Sequence, residues 1–133
     1  MDAPIVFISR FRLREGTSES FRSIFDELVG MIRSSKPRTA LYDAYLNDAG
    51  TEVGIVHVFP DAPALGRHFE GSDDRTRSIA DLMDLIGFQV FGPAPQDAVA
   101  QLRREAEAAG GSLELFSQSI GGFLRAPAPS DGD

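Results

Sequence analysis

The spacing of apolar residues limits the folds open to this chain, because it changes from a strand period of two to a helix period near 3.6 and back. The first stretch, residues 5–13, has the period of a β-strand. One side of this strand carries Phe7, Ser9, Phe11 and Leu13. The other side carries Val6, Ile8, Arg10 and Arg12. Both sides begin apolar, so we expect both faces of the sheet to be covered there.

An amphipathic helix follows the break at Glu15-Gly16. Thr17 or Ser18 is suited to its N-cap, and we expect it to end before Pro37. Its apolar residues recur at three-and-four spacing: Phe21, Ile24, Phe25, Leu28, Met31 and Ile32. The next segments, 39–47 and 51–59, are predicted as the two strands of an antiparallel hairpin. The second of these strands has one face made of Val53, Ile55, His57 and Phe59.

Two helical segments and a further strand are predicted after this hairpin. Asp61 is placed to cap a short helix that carries Leu65, His68 and Phe69. A second helical stretch is indicated by Ile79, Leu82, Met83 and Ile86. Residues 88–91 then predict a fourth strand. The order βαββαβ predicts an α+β fold of the ferredoxin-like type, with four antiparallel strands and both helices on one face.

An appended αβ unit follows this core. A third helix is predicted around Leu102, and a fifth strand begins at Leu113. The terminal residues APAPSDGD contain no large apolar side chain to join a core. We therefore expect three parts: a core domain (1–92), an appended helix and strand that pack on the same domain (93–125) and a disordered tail (126–133).

Composition argues against several functions. The chain has 20 Asp and Glu residues against 13 Lys and Arg, a net charge of −7, which disfavours binding to nucleic acid or to an anionic membrane. It has no cysteine, which excludes disulfides and thiolate chemistry. No apolar run reaches the roughly 18–20 residues of a membrane span, and the N-terminus lacks the features of a signal peptide. We expect a cytoplasmic protein.

The sheet face opposite the helices needs a cover. One layer of helices leaves uncovered the apolar residues Val6, Ile8, Val56 and Val58. A second copy of the chain covers this patch economically, since a two-fold dimer buries it twice. On the same face, which should meet the partner sheet, Arg10 and Arg12 either pair with Asp43 or Glu52 across the barrel or bind an acidic ligand. The sequence therefore predicts a homodimer.

Several motifs recur in a known order between residues 5 and 92. They are the first strand, Gly16 before the first helix, a tyrosine-bearing second strand, a third strand that ends in Phe59-Pro60-Asp61, and His68 in the next helix. In this the chain resembles the antibiotic biosynthesis monooxygenase family of dimeric α+β barrel proteins. The resemblance implies a pocket between the sheet and the helices. It also implies oxygenation of polycyclic phenols without a cofactor, quinol oxidation or haem breakdown.

Two residues depart from the family pattern. The third strand often ends in a tryptophan where this chain has Phe59, and the haem-degrading branch has an asparagine where this chain has Ser9. An indole can both stack on a flat substrate and donate a hydrogen bond, whereas a phenyl ring can only pack. We therefore set the haem-degrading activity aside.

Two histidines are the candidate catalytic residues. His57 alternates with Ile55 and Phe59, so it is expected to point toward the helices, where its imidazole could take a phenolic proton. His68 is implicated by the resemblance, which places a histidine near the pocket mouth or the dimer interface. The alternative for each is a buried histidine with a local hydrogen bond. With no third ligand at suitable spacing, no metal site is predicted.

The candidate substrate-binding residues are Phe7, Ser9, Phe11 and Phe59. The phenylalanines are equally compatible with an ordinary core. Tyr42 and Tyr45 lie on opposite sides of their strand, so at most one faces a pocket. A charged segment, in which Arg75 and Arg77 accompany several aspartates, is interpreted as a solvated helix face.

Two functions follow. The first is a cofactor-independent monooxygenase-like protein acting on a small aromatic or hydroquinone-type metabolite, with no cofactor expected. The alternative is a non-catalytic ligand-binding or assembly domain with the same fold. A cavity of a few hundred Å³ that either histidine reaches favours the enzyme, whereas tight packing of the phenylalanines favours the alternative.

Overall fold

The computed structural model describes residues 3–125, so the expected disordered tail lies outside the described residues. Within this range the chain forms β1 (Ile5–Leu13), α1 (Ser18–Ser35), β2 (Leu41–Leu46), β3 (Glu52–Phe59), α2 (Ala62–Phe69), α3 (Ser72–Ile79), β4 (Met83–Phe91), α4 (Gln96–Ala109) and β5 (Ser112–Phe116). The strands form one sheet in the order β2-β3-β1-β4-β5. All neighbours are antiparallel except β4 and β5, which are parallel. None of the described helices is both long and apolar enough to cross a membrane.

The described helices pack on one face of this sheet, which confirms the ferredoxin-like α+β fold. One core cluster joins α2 and α4 to the sheet and contains Ile5, Phe7, Phe59, Ala64, Leu65, Phe88, Val90, Ala98, Leu102 and Ala106. A second cluster joins α1 and α3 to the sheet and contains Leu13, Phe21, Val53, Ile55, Ile79 and Met83. The core is therefore divided in two, with one half beneath α2 and α4 and the other beneath α1 and α3.

The sequence prediction for the fourth strand was wrong at its start. Helix α3 ends at Ile79, and β4 already begins at Met83, where a longer helix was predicted. The pairing of β4 with β1 shifts register between Arg10 and Phe11, as at a β-bulge. The side chains of β4 that are turned toward the helices are consequently Met83, Leu85, Phe88 and Val90. Ile86 is the extra residue at this bulge, and its spacing of three from Met83 resembles a helical period, which explains the error.

The capping predictions had different outcomes. Asp61 caps α2, and its carboxylate accepts a hydrogen bond from the Ala64 backbone N–H at 2.9 Å. Thr17 is at the N-cap of α1 but makes no side-chain cap there. Its hydroxyl instead lies 2.7 Å from the carbonyl oxygen of Arg14 and 3.0 Å from that of Leu82, so it holds the start of the helix against the loop before β4.

The other sheet face carries no helix in the described part of the chain. Its centre is formed by the half-buried side chains Val6, Ile8, Val56 and Val58. Arg10 donates a hydrogen bond to Glu52 at 3.0 Å across the β1–β3 pair, so it pairs with one of its two predicted partners within its own sheet and not across the barrel. On the edge strand β2, Tyr45 is 56% exposed. An apolar surface of this kind is typical of a protein interface.

Candidate active site

A cavity of about 510 Å³ lies between the sheet and the helices, where the two core clusters meet. Its size falls within the range of small-molecule sites. Most of its wall is apolar. The polar residues that line it are Ser9 on β1, Arg14 after β1, Tyr42 on β2, His57 on β3, His68 on α2, Ser72, Arg75 and Thr76 on α3, Asp84 on β4, and Gln101 and Glu105 on α4.

The structure brings together most of the residues predicted for the site. Phe7, Ser9, Phe11, His57 and His68 all line the cavity. Phe59 does not line it. Its side chain is fully buried beneath α2, and its ring lies edge-on to the His68 ring at 5.1 Å. Phe59 therefore supports His68 from behind rather than forming part of the cavity wall.

His57 is held in one tautomer by the neighbouring strand. Its Nδ1 lies 3.0 Å from the Phe7 carbonyl oxygen. A carbonyl can only accept, so Nδ1 carries the proton and the neutral ring has its basic nitrogen at Nε2. Burial lowers the pKa of His57 to about 4, although the Phe7 carbonyl acts in the opposite direction. The ring is neutral at pH 7 and stacks on the Phe7 ring at 4.6 Å.

His68 lies beside His57, with the two ring centroids 5.0 Å apart and the rings nearly perpendicular. Its Nδ1 is 3.0 Å from the Thr39 hydroxyl oxygen. Burial and the neighbouring charges of His57, Arg75 and Lys36 lower the pKa of His68 to about 2. Both rings are therefore neutral at pH 7.

Tyr42 completes an aromatic group around the histidines. Its ring centroid lies 5.3 Å from that of His57, 5.5 Å from that of His68 and 5.1 Å from that of Phe25. Burial raises the pKa of Tyr42 to about 12, so its phenol remains protonated and can donate a hydrogen bond. Of the two tyrosines on β2, this is the one that faces the cavity.

The interpretation of the segment around Arg75 as a solvated helix face was wrong for Arg75 itself. It does not belong to a solvated surface, because its half-buried guanidinium lines the cavity. One nitrogen donates to the carbonyl oxygen of Glu70 at 3.1 Å, and the other donates to that of His68. Burial lowers the pKa of Arg75. Its neighbour Arg77 pairs with Asp74 on the exposed side, as a solvated face predicts. The cavity therefore has a cation beside its two neutral imidazoles.

The structure contains no candidate metal centre within the described residues, since nowhere there do three His, Asp or Glu side chains come together as ligands. The groups in the cavity that can take part in chemistry include the two imidazoles, the phenol of Tyr42 and the guanidinium of Arg75.

No family model matches the chain, and no curated protein matches it. Solved structures do match. MupZ from Pseudomonas fluorescens superposes with a TM-score of 0.71 at 17% identity, over 97% of this chain and 100% of that chain. SnoaB, a cofactor-independent oxygenase from Streptomyces nogalater, has a TM-score of 0.57 at 18% identity, over 68% of this chain and 92% of that chain.

A third structure is that of a protein provisionally assigned as an antibiotic biosynthesis monooxygenase from Caulobacter crescentus CB15. Its TM-score is 0.58 at 11% identity, over 67% of this chain and 86% of that chain. This chain has the fold of the antibiotic biosynthesis monooxygenase-like proteins. The match to MupZ also takes in the αβ unit at 93–125, because its 97% coverage leaves only a few residues unmatched.

The two buried histidines are expected to make the fold less stable in mild acid. In an unfolded chain a histidine has a pKa of 6.5, whereas here the pKa values are about 4 for His57 and about 2 for His68. Above pH 6.5 both states of the chain keep the histidines neutral, and the fold has its full stability. As the pH falls from 6.5 toward the pKa values of the folded protein, the unfolded chain takes up protons first and stability is lost. At about pH 5 the loss amounts to about 2 kcal/mol for each histidine.

The measurement is urea unfolding at about pH 7.5 and about pH 5, a window above the ordinary range of carboxyl groups. Glu105, whose pKa burial raises, acts with the opposite sign. We expect the free energy of unfolding of the wild-type protein to fall between about pH 7.5 and about pH 5. It should fall less in His57→Phe, which keeps an aromatic ring but has no nitrogen that can accept a proton. Equal stability at both pH values would contradict the assignment of two buried neutral histidines.

Proposed function

We propose that the cavity binds a small aromatic metabolite of the phenol or hydroquinone type and promotes its oxidation by molecular oxygen. The observation that carries this proposal is the pair of neutral imidazoles on the wall of a mostly apolar cavity. Such a cavity accepts flat apolar rings, and the few polar groups on its wall can orient a hydroxyl group. An electron-rich phenolate or enolate can itself supply electrons to oxygen, so no resident cofactor is required.

In the proposed reaction, Nε2 of His57 removes a proton from the hydroxyl or enol group of the substrate. The resulting anion is electron-rich and reacts with molecular oxygen. With an anthrone, one oxygen atom becomes the new carbonyl oxygen of an anthraquinone, and the other leaves as water with the two hydrogens lost from carbon. With a hydroquinone, two hydrogens pass to oxygen, which leaves as hydrogen peroxide while the ring becomes a quinone.

The charge of Arg75 decides whether this proton transfer is feasible. In the empty cavity Arg75 helps to lower the pKa of both histidines, so His57 alone is a weak base. A bound phenolate changes the balance, because the same guanidinium stabilises the new negative charge beside it. The new imidazolium stabilises it too. Proton transfer is therefore favoured only when the substrate hydroxyl lies near both groups.

The low proton affinity of the histidines also favours the second candidate, a ligand-binding domain without catalysis. A base with a pKa of about 4 binds a hydroxyaromatic ligand by hydrogen bonding without removing its proton. The two functions share the same cavity and the same class of ligand. They differ in whether oxygen is consumed.

The test is oxygen uptake by the purified protein with a panel of anthrones and hydroquinones. We expect consumption above the spontaneous rate for at least one of them, with anthraquinone or quinone formed in equal amount. Binding is measured in parallel by calorimetry with the corresponding product. Binding without oxygen consumption would support the ligand-binding domain, and absence of both would overturn the two proposals together.

We also propose that the protein is a homodimer formed through the sheet face without helices. This proposal is supported by the four half-buried aliphatic residues at its centre, Val6, Ile8, Val56 and Val58. A stacked pair, Phe91 on β4 and Phe116 on β5, extends the apolar surface with ring centroids 4.8 Å apart. A two-fold axis through this face would place two sheets back to back, leaving each cavity on the outer, helical side.

A further inference from the structure

The chain continues after β5 as an arm, residues 117–125, that has no helix or strand. Within residues 3–125, the arm makes no backbone hydrogen bond to the rest of the protein. Its apolar side chains lie in solvent, since Ile120 is fully exposed and Phe123 is 80% exposed. Arg125 is its only charged residue and lies over the Phe123 ring at 5.1 Å from the centroid. An exposed apolar segment of this kind is typical of a contact with another molecule.

Exposed apolar side chains gather at the two edges of the sheet. Apart from Met31 on α1, this holds for every large apolar side chain that is exposed within residues 3–125. Strand β5 forms one edge and carries Leu115 and Phe116, after which the arm follows. Strand β2 forms the other edge and carries Leu41 and Tyr45. Each protomer therefore has an apolar arm at one edge and an uncovered apolar strand at the other.

Both edges share the sheet face without helices. A row of paired residues crosses this face from β2 to β5, and it consists of Leu41, Val58, Val6, Phe91 and Phe116. Asp43 and Tyr45 follow Leu41 on the same side of β2, because side chains two positions apart on a strand share a face. The Tyr45 hydroxyl donates a hydrogen bond to the Asp43 carboxylate at 3.1 Å. The β2 edge thus presents two apolar side chains with a carboxylate between them.

A two-fold dimer through this face can be arranged in two ways. With the axis across the strands, each edge lies over the same edge of the other copy, so like charges meet. With the axis along the strands, β5 of one copy lies over β2 of the other. The arm then reaches the β2 edge, where apolar side chains meet apolar side chains and Arg125 meets a carboxylate. Complementary charge therefore favours the second arrangement.

We propose that the arm of one copy docks on β2 of its partner, with its apolar side chains against Leu41 and Tyr45 and its guanidinium beside Asp43. This proposal rests on the proposed homodimer and adds an exchange of arms to it. Every chain carries both halves of the contact, so the contact forms twice in each dimer. The nine residues 117–125 span up to about 30 Å when extended, and packed sheets lie only about 10 Å apart. The arm is therefore long enough to reach the partner.

The apolar part of the contact is tested with Ile120→Ser and Phe123→Ser. Gln118→Ser is the matched control, because Gln118 is an exposed polar residue of the same arm. All three side chains are exposed in the protomer, so we expect circular dichroism to show the same fold in each variant. The readout is the dimer dissociation constant of the full-length protein, measured by sedimentation equilibrium.

We expect each apolar variant to raise the dissociation constant about tenfold or more, because a large apolar side chain is lost from both contacts of the dimer. The control should stay within about twofold of wild type, as is usual for a surface substitution. Dissociation constants of the two apolar variants that equal that of the control would overturn the proposal.

The charged part of the contact is tested with Asp43→Arg and Arg125→Asp. Each variant alone places like charges at both contacts, so its dissociation constant should rise about tenfold. A heterodimer of the two variants has opposite charges at both contacts, so an equal mixture should dimerise with the affinity of wild type. A mixture of Glu107→Arg with Arg125→Asp is the control and should not recover, since Glu107 is exposed on α4, on the helical side of the sheet. A mixture of the first pair that dimerises no better than its components would overturn the exchange of arms.

Failure of this proposal is distinguishable from failure of the proposed homodimer. Wild-type affinity in both apolar arm variants, together with dissociation by Val56→Asp, would overturn the arm contact and keep the sheet-face dimer. Dissociation by Ile120→Ser, together with a Val56→Asp protein that stays dimeric, would keep the arm contact and overturn the sheet-face dimer. A wild-type protein that is monomeric at every concentration would overturn both. The oxidation is judged separately, by oxygen uptake.

Discussion

Replacement of His57 by alanine is expected to lower the rate of oxygen-dependent turnover by about 10²–10⁴-fold, the usual contribution of a general base. The expectation follows from its geometry, since the Phe7 carbonyl holds the proton on Nδ1 and the other nitrogen is left as the acceptor. The tautomer of His68 is not fixed in this way, because the Thr39 hydroxyl beside its Nδ1 can either donate or accept. Turnover of an anthrone under air, followed as kcat and kcat/KM, gives the measurement.

Two further variants separate chemistry from structure. His57→Asn keeps a donor for the Phe7 carbonyl but has no basic nitrogen, so it should be as slow as His57→Ala. His68→Ala should lose no more than about tenfold, because in the proposed reaction His57 takes the proton and the His68 ring only packs edge-on against it. Circular dichroism confirms the fold of each variant. Equal rates in wild type and all three variants would remove both histidines from the mechanism.

Introduction of an aspartate at Val56 is expected to dissociate the dimer and to destabilise the fold. Val56 lies at the centre of the open sheet face, where it pairs with Ile8. In the proposed dimer an aspartate there would be buried against the partner without a cation, and an unpaired buried charge costs several kcal/mol. In an isolated protomer the same side chain would reach water, so the fold loses stability because it loses the contacts of the dimer.

Size-exclusion chromatography with light scattering measures this effect directly. Ala49→Asp is the matched control, because Ala49 is exposed in the turn between β2 and β3. We expect the control to elute at the mass of two chains and Val56→Asp at the mass of one. A Val56→Asp protein that still elutes as a dimer would show that the interface lies elsewhere.

The fold could be predicted from the sequence wherever one apolar period continued without interruption. The alternation in β1 and the three-and-four spacing in α1 gave their bounds closely. The prediction failed at β4, because a bulge opposite Arg10 and Phe11 breaks the period of two. A bulge depends on the partner strand, and a local pattern does not contain that information.

The sequence could predict those parts of the candidate site that lie on strands, because side chains along a strand alternate between its two faces. The orientation of His57 follows from its neighbours on β3, and the structure confirms that it faces the helices. Arg75 and Glu105 were missed because charged residues on helices are usually solvated. Only the packing of α3 and α4 over the sheet turns these two side chains toward the cavity. One local signal was available for Glu105: with Gln101 it follows a helical spacing directly beside the buried residues of α4, which are Ala98, Leu102 and Ala106.

The most direct test of the central claim is the fate of molecular oxygen in a reaction with an anthrone under ¹⁸O₂. We predict that wild type forms anthraquinone faster than buffer alone and that the new carbonyl oxygen carries the label. His57→Asn should form labelled product no faster than buffer. Formation of anthraquinone at the buffer rate by the wild-type protein, or an unlabelled new carbonyl, would contradict the account.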